Sequence, residues 1–226
     1  MSVWTNSIAA ASLAAASLMG AAASASPVVV NGSFETGVPG NTVGLLNGAT
    51  FGNMPTSGPN SDVWGALNGW TQAKPGGIEV QTNPTLPSID AQSGNYYAEL
   101  DTTGNSAMYQ DVALHIGRYV MSFCYSPSTR DVRSNCINYR LSGLFSGKAD
   151  NLTPGAVVGD WTQISVAFFV STARSYRLTF AASGRSDGLG GLLDNVEIQG
   201  VPVPASGLAL IGALGGLAAL RRRKAA

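Results

Sequence analysis

Glu99 and Asp101 stand two apart in the run Tyr97-Ala98-Glu99-Leu100-Asp101, so an extended chain puts both carboxyls on one face. A carboxyl pair about 5–9.5 Å apart can hydrolyse a glycosidic bond, one group as acid and the other as base or nucleophile. Asp101 also leads into Thr102-Thr103-Gly104, an ordinary turn, which gives the pair a purely structural reading. His115 is the sole histidine, so zinc sites built on several imidazoles are excluded, and a Ser-His-Asp triad would rest on this one residue. It reads best as a surface residue at a strand end. Cys124 and Cys136 are the only cysteines, and no neighbouring base is suggested that would activate either thiol. Gly184 to Gly191 is glycine-rich, but cradling a phosphate needs a helix start after the loop, and none is predicted. It reads as a turn into the last strand.

The elements that carry these residues follow from period-two alternation. Tyr119, Met121, Phe123 and Tyr125 share one face of a strand beginning at Gly117. Ile164, Val166, Phe168 and Val170 do so between Trp161 and Val170, and Tyr176, Leu178 and Phe180 between Arg174 and Ala182. Further strands are expected at 27–30, 77–81, 96–100, 107–114, 138–144 and 192–199. Nine or ten short strands with no amphipathic helix predict an all-β fold, a two-sheet antiparallel sandwich of jelly-roll type. Gly37 to Asn60 lacks periodicity and reads as a long surface loop.

Both ends differ in composition from the middle. Residues 1–25 read as a signal peptide: Ile8 to Ala23 is an unbroken small and apolar run, helical in such a leader, and Ala23-Ser24-Ala25 suits signal peptidase. No Lys or Arg precedes the run, which departs from the usual charged start. Residues 201–226 form a tail of three parts: Val201-Pro202-Val203-Pro204-Ala205, the apolar run Leu208 to Leu220, and Arg221-Arg222-Arg223-Lys224. The apolar run makes a short helix, below the roughly 20 residues of a comfortable membrane span. The basic cluster would stay cytoplasmic and leave the domain outside.

This tail resembles the PEP-CTERM sorting signals, in particular the Val-Pro-Leu-Pro-Ala variant, with Val203 where Leu is usual. The resemblance implies cleavage near Pro204-Ala205 by an exosortase-like membrane enzyme, with passage from the envelope to the surface or extracellular matrix. The alternative is an unprocessed anchor. Export to an oxidising compartment makes a Cys124–Cys136 disulfide the natural expectation, worth about 3 kcal/mol in the chain-entropy model. Taking the four terminal basic residues from thirteen leaves nine against thirteen acidic ones. Such a balance argues against nucleic acid as a partner, since that requires a basic face.

Residues 26–200 are the domain. Asn31-Gly32-Ser33-Phe34-Glu35, Asn68-Gly69-Trp70, Tyr97 to Asp101, the strand at Gly117 and Leu193-Asp194-Asn195-Val196 recur in an order that resembles galactose-binding-like jelly rolls of carbohydrate-binding modules. That resemblance implies a structural calcium where the first and last strands meet, with Glu35 and Asp194 as carboxylate ligands and Asn31 or Ser33 assisting. The alternative makes Glu35 a solvated loop residue and Asp194 a turn cap. It also implies sugar binding on exposed aromatics. Trp64, Trp70, Tyr96, Tyr109, Tyr125 and Tyr139 are available, each equally explicable as core. Trp64 and Trp70 lie in loop-rich sequence and are the chosen pair. The expected function is a non-enzymatic surface or matrix protein that binds polysaccharide. A purely structural envelope protein, or more remotely a glycan-active enzyme, is the alternative.

Overall fold

The computed structural model describes residues 28–36, 61–83, 85–86 and 89–202. Both terminal segments and the 37–60 loop lie outside them, as do the signal helix and the short apolar helix read from the sequence. Twelve strands form: β1 (Ser61–Trp64), β2 (Ala66–Leu67), β3 (Trp70–Lys74), β4 (Ile78–Thr82), β5 (Tyr96–Glu99), β6 (Ala107–Leu114), β7 (Gly117–Pro127), β8 (Cys136–Leu141), β9 (Phe145–Ala149), β10 (Thr162–Val170), β11 (Arg174–Ser183) and β12 (Gly191–Gly200). They make two six-stranded sheets, ordered β1-β4-β5-β12-β7-β10 and β2-β3-β6-β11-β8-β9, with antiparallel pairing between neighbours. Successive strands cross repeatedly from one sheet to the other, as in a jelly roll. The described residues contain no helix long and apolar enough to cross a membrane.

The alternating residues read from the sequence face inward. Met121, Phe123 and Tyr125 from β7 meet Tyr176, Leu178 and Phe180 from β11 in one core, and Phe123 sits 5.1 Å from Phe180 edge to face. Trp70 lies at its centre, with no exposed surface. Its ring packs 5.9 Å from Phe34 and 6.0 Å from Phe180, and its indole N–H donates to the Asn31 carbonyl at 2.9 Å.

Of the strand expected at 27–30, the described residues 28–30 form none. Instead the segment is stitched on by separate bonds. Val28 N–H donates to the Ile198 carbonyl, and the buried Gln110 side chain holds Val30 from both sides, accepting from its N–H at 2.7 Å and donating to its carbonyl at 2.9 Å. A glutamine inside the core is tolerable because each end of its amide is satisfied.

In β12 the register against β7 shifts between Asp194 and Glu197. Leu193 and Val196 both reach the core across this bulge, and the extra residue, Asn195, sits at φ 55°. Gly32 accepts the Val196 N–H at 2.9 Å, so the bulge is also where the N-terminal segment docks.

The expected Cys124–Cys136 disulfide is not present: both thiols are free. Cys124 alternates with the inward Phe123 and Tyr125 of one sheet, and Cys136 precedes the inward Ile137 of the other. Alternation therefore turns the two thiols toward opposite outer faces of the sandwich. Asn135 closes the intervening loop instead. Its side-chain oxygen accepts from the Ser128 N–H at 2.9 Å and the Thr129 N–H at 3.2 Å, while its amide nitrogen donates to the Thr129 carbonyl and to Asn151.

Candidate functional site

Three polar constellations stand outside the core. The first is a carboxylate pair at the bulge. Glu35 Oε1 accepts the Asn95 and Tyr96 N–H groups, each at 2.9 Å, and Asp194 Oδ2 accepts the Ser93 N–H at 2.9 Å. Both acids thus converge on the turn before β5. Gly94 belongs in that turn for two reasons: its φ is +78°, and a Cβ there would strike the Glu35 carboxylate. Burial pushes the Asp194 carboxyl up to about 7, with the Glu35 charge adding to the effect. Among the described residues neither acid has a basic partner, and Glu35 Oε2 receives no hydrogen bond. Two hard oxygen donors with unbalanced charge suit a hard dication whose remaining ligands are carbonyls and water. Asn31 does not join them through its side chain. Its oxygen and nitrogen bond the Thr36 N–H and carbonyl, closing their own loop. Among the described residues no cluster of three or more acidic, histidine or cysteine side chains is placed to hold a metal.

The second constellation holds the glycine-rich loop. Asp101 is fully buried and accepts from Ser186 Oγ at 3.1 Å and from the Asp187 and Gly188 N–H groups at 2.9 and 3.2 Å. Glu99 accepts the Gly190 N–H and, at 2.5 Å, the Gln81 side-chain N–H. Burial, with the neighbouring Glu79 and Asp101 charges, pushes the Glu99 carboxyl up to about 9. The two acids considered for hydrolysis thus lie side by side on β5 and just after it, spent on the amides of one loop. Gly184-Arg185-Ser186-Asp187-Gly188 has the spacing of a nucleophile elbow, a match the reading as a plain turn passed over. The loop joins two strands rather than a strand and a helix, and Ser186 donates to Asp101, with no imidazole beside it. His115 is exposed in the β6–β7 turn, at the other end of the strands.

The third is the outer face of the β2-β3-β6-β11-β8-β9 sheet. Registers align Thr71, Tyr109, Thr179, Arg140 and Ser146 in one row across β3, β6, β11, β8 and β9. All five are exposed or half-buried. Neighbouring strands lie about 4.8 Å apart, so the row spans roughly 19 Å. Beside it Arg177 donates to both oxygens of Asp111 at 2.7–2.8 Å and holds the Asp111 carboxyl below its usual range. The Arg177 guanidinium also lies 3.8 Å from the centre of the Tyr109 ring.

The sequence-chosen aromatics fare differently. Trp70 is core, so no ring face remains for a sugar, and a ligand role there is set aside. Trp64 pairs with Ile78 in β1, and its side chain lies outside what is described. Tyr96 and Tyr125 are buried, Tyr139 packs on Phe123 at 5.0 Å, and Tyr109 faces outward. Of the residues read as a sorting signal, Val201 donates its N–H to the Arg118 carbonyl at 2.8 Å, and Pro202 is exposed. Val203, Pro204 and Ala205 lie outside the described residues.

No protein-family model matches the chain. One curated relative, a multifunctional-autoprocessing repeats-in-toxin of Vibrio cholerae serotype O1, is 28% identical over 138 residues. That alignment covers 61% of this chain but 3% of the toxin, so the chain spans a small fraction of that protein's length. Among solved structures, a CBM61 bound to β-1,4-galactotriose is similar with TM-score 0.46 and 18% identity, covering 58% of this chain and 88% of its own. The Stig cyclase Fisc from Fischerella sp. TAU gives 0.49 and 13%, over 80% and 99%. A family 35 carbohydrate-binding module from Clostridium thermocellum gives 0.39 and 15%, over 62% and 97%.

Proposed function

We propose that the chain is an exported, non-enzymatic protein of the cell surface or extracellular matrix whose sandwich binds polysaccharide across one open sheet face. The observation that carries this reading is the row Thr71–Tyr109–Thr179–Arg140–Ser146 with Asp111 and Arg177 beside it. Hydroxyls, a carboxylate, a guanidinium and one aromatic ring on a flat exposed surface are the groups that read sugar hydroxyls and cover a pyranose face. Export rests on the leader with Ala23-Ser24-Ala25 and on the tail beginning Val201-Pro202-Val203-Pro204-Ala205, which signal peptidase and an exosortase-like enzyme would process. Retardation in polysaccharide-containing gels tests the binding. Tyr109→Ala is expected to weaken retention at least tenfold, about 1.4 kcal/mol, while melting as the parent does. Retention unchanged in Tyr109→Ala would sink the assignment of this face.

A second reading has its own support. Arg177 already covers the Tyr109 ring and pairs with Asp111, so the face is satisfied with nothing bound. A purely structural envelope protein would show no retention on any polysaccharide.

We further propose that Glu35 and Asp194 hold a structural calcium, supported by their shared turn and by the lack of a basic partner for either among the described residues. When bound, the ion would tie the N-terminal segment to β12 and supply no chemistry. Because Asp194 must lose its proton, affinity rises as pH climbs through about 7. Calcium added after chelation should therefore raise the melting temperature clearly at pH 8 and much less at pH 6. A melting temperature at pH 8 that ignores calcium would remove the ion from the account.

A further inference from the structure

Open β-sandwiches expose four edge strands, and natural sequences blunt them by shortness, charge, proline or bulges. Three of the four edges here are blunted. β2 has two residues, β1 has four and contains Asp62, and β9 has five and contains Gly147 and Lys148. β10 is the exception. It runs nine residues, pairs β7 in unbroken register along its whole length, and has no partner on its other side among the described residues. From Trp161 to Ala173 the sequence contains no charged residue, proline or glycine. Its inward residues Ile164, Val166 and Phe168 are only partly buried, and Phe169 on the outer face is 55% exposed.

We infer that β10 is a self-association edge: two copies pair β10 against β10 in antiparallel, two-fold fashion, joining their six-stranded sheets into one. A second copy fits better than a charged or basic partner because two-fold pairing sets a strand against its own reverse. β10 carries no charge and so offers a charged strand no counter-charge, whereas its own reverse sets apolar against apolar on one side and uncharged against uncharged on the other. With the axis at Val166, Ile164 meets the Phe168 of the other copy on the core side. Ser165 meets Ala167, and Gln163 meets Phe169, on the outer side. The pairing consumes the one unprotected edge among the described strands of each copy, so the assembly closes at a dimer rather than growing into a fibre.

Sedimentation equilibrium of the full chain in mild detergent tests this, beside a Ser165→Lys/Ala167→Lys variant. Both positions face outward, so the core is untouched, and the axis at Val166 sets each new lysine opposite a lysine of the other copy. The parent is expected to sediment as a dimer and the variant as a monomer at least a hundredfold weaker in association, with the same circular dichroism. Slower amide exchange in β10 of the parent than of the variant should accompany it. A monomeric parent overturns the inference. So does a variant that still dimerises, which would put association in the apolar run Leu208 to Leu220 instead.

Discussion

Exchanging Glu99 for glutamine is expected to stabilise the folded domain by about 3 kcal/mol at pH 7 and about 6 kcal/mol above pH 9, and to change little at pH 4. The sign follows from the direction of the shift. Burial raises the Glu99 carboxyl from its ordinary value of 4.5 to about 9 in the folded chain. Between those values the unfolded chain has released its proton and the folded chain has not, so ionisation favours unfolding. The loss begins near pH 4.5, grows by about 1.4 kcal/mol per pH unit, and levels off near pH 9. A glutamine never ionises and escapes it entirely. Gln81 Nε2 donates to both Glu99 and Glu79, so an amide at 99 keeps its own oxygen toward the Gly190 N–H only if the Gln81 amide turns and gives up its bond to Glu79, a cost that does not vary with pH. Urea unfolding of both proteins at pH 4, 7 and 9.5 measures the difference. A gap between them that does not widen with pH would mean Glu99 is not the buried acid described.

The same residue shows what the sequence could and could not disclose. Alternation placed Glu99 and Asp101 on one face, and the structure keeps them there. It could not say that this outer face is itself covered, by Ile89, Leu86 and Trp161 packing on Tyr97 and Leu192. Period two reports which side of a strand a residue takes; it does not report what a loop lays over that side. The long strands β6, β7, β10, β11 and β12 were legible for that reason, each having one plainly apolar face. β1, β2 and β9 were not: β2 has only two residues, and β1 and β9 are short and carry Ser, Asp, Gly or Lys where a strand usually shows β-branched residues. The missed β3 misled most, because it turned Trp70 from a loop aromatic into the centre of the core. The cysteines misled in another way. Their separation along the chain suited a disulfide, and only the assignment of β7 and β8 to different sheets, with opposite outward faces, forbids it. The residues proposed for calcium were half legible. Glu35 and Asp194 both bond the turn before β5, while Asn31 is claimed by Thr36 through a local bond that no spacing rule reveals.

Trp70→Ala is expected to destabilise the domain by about 3–5 kcal/mol, the range for removing a fully buried large aromatic. Three losses combine. The cavity would sit between Phe34 and Phe180, which both lean on the indole. The Asn31 carbonyl would lose the indole N–H it accepts at 2.9 Å. Phe34, a bulky residue held at φ 60°, would lose the ring that helps keep it in a backbone region it otherwise avoids. Against a total stability of about 5–15 kcal/mol, the change leaves a domain folded only marginally at 37 °C. Trp70→Phe separates the contributions, since it keeps most of the apolar surface and removes only the hydrogen bond and part of the volume, for about 1–2 kcal/mol. Chemical denaturation followed by circular dichroism measures both. If Trp70→Ala instead kept its denaturation midpoint and lost only polysaccharide retention, Trp70 would be a binding residue after all. If it loses the fold and retention together while Tyr109→Ala loses retention alone, the open sheet face and the core are separated as they are in the structure.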